Sequence, residues 1–147
     1  MYEYILGAKS KMNFTTSFGH VKIISSNIAE IVINHGIEIS LEVMEEYETL
    51  MNKHFTDHYA TLINRINNYS YAYEVLLCIG SIKNLKAVAV INYGIENKQQ
   101  AKDISAVHHV DNLNIKLFSG LELGRDNAID WLNGELAKTC NNSEMIK

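Results

Sequence analysis

The sequence predicts a mixed α/β domain, and three features of its pattern carry that reading. Residues 13–34 are rich in β-branched side chains and broken twice by Gly, Ser or Asn, as in an antiparallel meander. Amphipathic helical stretches then alternate with short apolar runs, which implies parallel, right-handed crossovers. Residues 85–91 are almost continuously apolar, as suits a central strand covered on both faces.

The elements follow in order. Residues 13–18 read as a strand, with Gly19-His20 as a turn. Residues 21–24 read as a second strand, Ser25-Ser26-Asn27 as a second turn, and residues 28–34 as a third strand. After His35-Gly36, Ser40 is placed to cap a helix over 41–55, with Glu42, Glu45 and Glu46 in its first turns. Val43, Tyr47, Leu50, Met51 and His54 share one face of that helix. Residues 59–63 read as a short buried strand, followed by the polar stretch 64–70. A second helix carries Ala72, Val75, Leu76, Ile79 and Ile82 inward and ends near 83–84. Asn97 with Gln100 resembles a capping box for a third helix through about His108. Residues 114–118 form another strand. Residues 125–136 form a fourth helix, with Ala128, Ile129, Leu132 and Leu136 inward and Trp131 beside them. The core spans about 12–137, with the N-terminal residues and 139–147 loose.

Composition bounds the function. With 147 residues the chain fits one domain, able to bury roughly 70% of its unfolded surface. Apolar residues at 47% and charged residues at 20% support a packed core and exclude general disorder. A net charge of −4, with no basic helix face, disfavours nucleic acid as a partner. Cys78 and Cys140 fit no metal or redox spacing, so a reducing, cytoplasmic setting is expected. No targeting segment or membrane span is visible, and the sequons at Asn13, Asn68 and Asn141 read as chance matches. The chain has no proline, so Gly and Asn must punctuate it. Abundant Asn and Ile hint at an AT-rich bacterial genome.

The stretch 64–71 is the most informative. It lies at the carboxyl end of an expected parallel strand, where ligands bind in open α/β sheets. Arg65 offers a fixed charge on a planar fork. Asn64, Asn67, Asn68 and Ser70 offer adaptable hydrogen-bonding groups, and Tyr69 and Tyr71 a contact surface. The following helix start favours an anion. The same residues also read structurally, with Ser70 as an N-cap and Asn67-Asn68 as turn formers. Arg65→Ala is expected to weaken binding with little loss of stability. Other chemistry finds no home: no nucleophile elbow or Gly-rich phosphate loop occurs. His54 and His58 sit four apart, but the helix ends between them, and His108-His109 with Asp111 is weaker still. No metal, cofactor or catalytic residue is assigned.

The element order β-β-β-α-β-α-β-α-β-α resembles the STAS, or SpoIIAA-like, domains, in particular small stand-alone members found in Bacteroidota. Two segments carry the likeness: Ile63-Asn64-Arg65-Ile66-Asn67-Asn68-Tyr69-Ser70 and Ala128-Ile129-Asp130-Trp131-Leu132. The resemblance implies a mixed sheet with antiparallel N-terminal strands, parallel βαβ units and about four helices. It also implies a regulatory module without catalysis that typically binds a protein partner, here through the strand-to-helix surface around 64–71, and in some members a nucleotide or other small ligand. The residues themselves would also suit a small anionic ligand. In the anti-sigma-factor antagonists of that family, a serine at the second helix is phosphorylated, and Ser70 falls in the matching place. Those proteins carry Asp-Ser-Ser-Gly-Leu there, where this chain has Asn68-Tyr69-Ser70-Tyr71-Ala72. A small-ligand or lipid carrier of the related lipid-transfer type and an enzyme are the alternatives, and a homodimer is compatible with all three.

Overall fold

Period-two patterning sets the first half of the structure, a computed structural model that describes residues 12–77, 82–93, 114–121 and 123–146. β1 (Met12–Thr15), β2 (Gly19–Ser25) and β3 (Ile28–Ile33) form the antiparallel meander. The first turn lies earlier than the sequence suggests. Thr16 bends the chain because its hydroxyl accepts from the Phe18 and Gly19 amides at 3.2 and 3.0 Å. Gly19 therefore opens β2 instead of forming a turn with His20. A Cβ there would sit 2.0 Å from the Val32 carbonyl oxygen, and its φ is +154°, so only glycine permits this approach.

Ser40 caps α1 (Leu41–His54), its hydroxyl accepting from the Val43 amide at 3.3 Å. Tyr47 and Met51 are buried on the inward face, with Val43 and Leu50 packed beside them. β5 (Tyr59–Arg65) runs two residues beyond the expected strand. Its register against β7 (Leu85–Asn92) pairs Asn64 with Ile91 and Arg65 with Asn92. β8 (Ile115–Ser119) follows in parallel. The six-stranded order is β1-β2-β3-β5-β7-β8, with β1 to β3 antiparallel and the later pairs parallel.

Two short strands escaped the sequence pattern. β4 (Glu38–Ile39) pairs in parallel with β6 (Ser70–Tyr71) as a separate small sheet. α2 (Tyr73–Leu76) comes next. The remainder of the expected second helix at 78–81, the helix at 97–108, Cys78 and the His108-His109 pair lie outside the described residues. α3 (Gly124–Ile146) continues past the expected end at Leu136.

The two faces of the sheet pack differently because residues alternate along each strand. On one face Ala60, Leu62, Ala87, Ala89 and Ile91 receive Ala128, Leu132 and Leu136 of α3. Three alanines keep that face shallow, so the helix seats closely. On the other, α1 covers Val21, Ile31 and Ile33, and Val88 and Val90 lie further along. Leu132 is fully buried. We expect Leu132→Ala to destabilise by about 3 kcal/mol, through lost transfer energy and a residual void. Urea unfolding reads this as a lower midpoint at unchanged slope. An unshifted midpoint would mean that α3 contributes little to the core.

Candidate functional site

The last two residues of β5 point to opposite faces and serve different purposes. Asn64 faces α3, where its amide donates to the Glu30 carboxylate at 3.0 Å. Glu30 also accepts from Arg125 Nη2 at 2.7 Å and Nε at 3.4 Å. This triad ties the first turn of α3 to the middle of the sheet. Burial pushes the Glu30 carboxyl up, but the hydrogen bonds from Arg125 and Asn64 and the charges of Arg125 and Lys22 outweigh it, leaving the group below its ordinary value.

Arg65 faces the α1 side and is only 4% exposed. Its Nη2 donates to the Tyr69 carbonyl at 3.0 Å. The guanidinium lies 4.0 Å from the centroid of the Tyr69 ring and 5.9 Å from that of Tyr71, within the range of cation–π attraction. Its Nε is buried without a hydrogen-bond partner, and no carboxylate of the described residues pairs with it.

The chain between Arg65 and Tyr71 is held by backbone bonds to the loop after β3. The Gly36 amide donates to the Asn68 carbonyl at 2.7 Å, Ser70 N to Ile37 O at 3.1 Å, and Ala72 N to Ile39 O at 2.9 Å. The Asn67 amide donates to the Ile33 carbonyl at 2.9 Å. Tyr69 is buried and Tyr71 half-buried, their rings packed edge to face at 5.7 Å. Asn68 and Ser70 are exposed. The seven residues singled out from the sequence thus form one structural unit, but not one surface. Arg65 and Tyr69 point inward, and Asn64 belongs to the lock on the other face.

Ser70 is not the helix cap. It lies in β6, and the capping position of α2 falls on Ala72, which has no side-chain cap. A phosphate on Ser70 would therefore not meet the free amides of a helix start. Arg65→Ala is likewise not a surface change: it removes a buried stack and a buried hydrogen bond.

Arg65 lines a cavity of about 90 Å3 between the sheet and α1. Ile31, Ile33, Thr61, Ile63, Val88 and Val90 form the sheet side, Val43, Met44 and Tyr47 the helix side, and Ile39, Tyr69 and Tyr71 one end. The Tyr47 and Tyr59 hydroxyls lie 3.3 Å apart. Burial pushes the Tyr59 phenol up to about 12 and raises Tyr47 strongly, so both stay neutral at ordinary pH. The described lining contains no His, Cys, Asp, Glu or Lys, so it supplies a fixed cation in an apolar shell but no acid or base that titrates near neutrality.

Elsewhere, His54 ends α1 with its ring 4.5 Å from Phe14, and His58 lies beyond the turn. Among the described residues, no group of three or more His, Cys, Asp or Glu could hold a metal ion. Also among them, no helix is long and apolar enough to cross a membrane. Sequence reasoning missed the Glu30–Arg125 lock, although a lone carboxylate in the run Ile28-Ala29-Glu30-Ile31-Val32-Ile33 was a usable signal. The chain matches no family model, no curated protein and no solved structure.

The lock makes stability depend on pH. A carboxyl depressed in the folded state contributes stability above its unfolded pKa of about 4.3, lost as pH falls through the folded value. Glu30→Gln should cost about 1–2 kcal/mol at pH 7, less than a fully buried pair because Arg125 is 42% exposed. The variant should also lose less stability than wild type as pH drops below about 5. Parallel acid limbs in urea titrations would show that Glu30 is not the linked group.

Proposed function

We propose that the protein is a non-enzymatic binding module of STAS-like build that holds a small ligand in the cavity between the sheet and α1. One observation carries the reading: a permanently charged guanidinium is buried in an apolar cavity with an unpartnered Nε and no carboxylate beside it among the described residues. A buried charge left so is costly, and such an arrangement is rational where a ligand completes it. The meander followed by parallel strands in sequential order supports the STAS-like reading. The cysteine usage supports a cytoplasmic setting.

The size of the cavity bears on the ligand. About 90 Å3 is on the order of three waters' share of liquid volume, far below the ~300 Å3 of a typical small-molecule pocket. A second reading, docking of a protein partner over 64–77, is favoured by Ile66, Tyr73 and Leu77, which are 62%, 72% and 44% exposed beside the site.

Val90→Leu adds one methylene to the cavity wall. It should raise stability by about 0.8 kcal/mol and exclude the ligand. Native mass spectrometry should then find a small adduct on wild type, released on denaturation, and none on the variant. If Val90→Leu destabilises as an overpacked core does and wild type carries no adduct, the internal site is not there, and the partner surface becomes the working hypothesis.

A further inference from the structure

We infer that the ligand of this cavity is a short-chain carboxylate, its carboxylate group on the Arg65 guanidinium and its hydrocarbon body among Ile33, Ile63 and Val90. The inference rests on the cavity reading above and adds the charge and shape of what fills it.

The geometry of the guanidinium argues for a planar anion. One face lies against the Tyr69 ring, with Cζ 4.0 Å from its centroid. A ligand therefore meets the open edge. Of the five N–H donors on that fork, one reaches the Tyr69 carbonyl, and the Nε–H reaches no acceptor among the described residues. A carboxylate approaching in the plane takes parallel hydrogen bonds from such an edge.

The surroundings argue for a single charge and an apolar body. Arg65 is the one Lys or Arg among the described lining residues. A dianion such as phosphate would bring a second charge that no second cation among the described lining residues compensates, at a large desolvation cost. A neutral molecule of the same shape would leave the guanidinium uncompensated. The remaining wall is aliphatic and aromatic, with the Tyr47 hydroxyl already bonded to that of Tyr59. A bare inorganic anion would leave this wall empty. The volume limits the body to acids of about three to five carbons, on a cavity scale where ~150 Å3 holds benzene.

Titration calorimetry at pH 7 on the full chain, with isobutyrate, isobutyramide and isobutylamine as probes, tests this. The three differ little in shape but carry a negative, a zero and a positive charge. Isobutyrate should bind saturably and about tenfold or more tighter than the amide, the scale of a charge-assisted hydrogen bond, and the amine not at all. Arg65→Lys keeps the charge but loses the fork and should bring the acid about tenfold closer to the amide. Should that variant fail to fold, the comparison of the probes on wild type stands alone. Acid and amide binding equally well would overturn the carboxylate inference and leave the cavity reading intact. Binding of none of the three would also overturn it, and Val90→Leu then decides whether the cavity reading falls with it.

Discussion

A guanidinium placed at the end of a central strand and 4% exposed must be compensated within its own neighbourhood, because water cannot do it. The chain after β5 is arranged around that demand. It turns back within four residues so that the Tyr69 carbonyl meets Nη2 and the Tyr69 ring covers the charge. Once turned, its backbone has to find partners of its own. It finds them in the loop after β3, through the β4–β6 pair and the Gly36–Asn68 bond. The small second sheet, the burial of Tyr69 and the exposed position of Ser70 all follow from where Arg65 goes.

The two faces of the main sheet divide the work. Opposite α3 the strands present Ala60, Ala87 and Ala89, and a helix with Leu132 at its centre can lie close. That face also carries the Glu30–Arg125–Asn64 lock, whose groups pair with one another. The α1 face presents β-branched residues of greater bulk, such as Ile31, Ile63, Val88 and Val90, beside which the described residues leave unfilled space. The Glu30–Arg125 pair and the Arg65 guanidinium thus lie on opposite faces of the sheet, reached from the adjacent β5 residues Asn64 and Arg65.

Much of the fold was legible because its signals are local. Ser40 and the spacing of Tyr47 and Met51 define α1 within one residue, and the alternation at 28–33 defines β3. What was illegible depends on contacts distant in sequence. The β4–β6 pair joins segments of two residues each, too short for any periodicity. Gly19 looked like a turn residue, while its need for glycine comes from Val32 on the neighbouring strand. Residues 64–71 stood out in the sequence by their polar and aromatic content, yet Arg65 read as a surface group because arginine seldom lies buried. Only the structure reveals that its charge faces inward, since the direction depends on the two-residue extension of β5.

Were a ligand to occupy the cavity as proposed, the contacts that organise the loop would connect it to the surface. Arg65 holds Tyr69 through the carbonyl and the ring, and Ile66 stands exposed between them. Tyr73 and Leu77 follow within one short turn. A molecule bound to Arg65 Nε while the Nη2–Tyr69 carbonyl bond persists would add to the stability of that arrangement by mass action. Any state in which Arg65 leaves the cavity loses the ligand and disturbs the loop together. Differential binding of this kind is the thermodynamic requirement for coupling two sites. On the ligand reading proposed above, occupancy of the cavity would favour the arrangement in which Ile66, Tyr73 and Leu77 are presented.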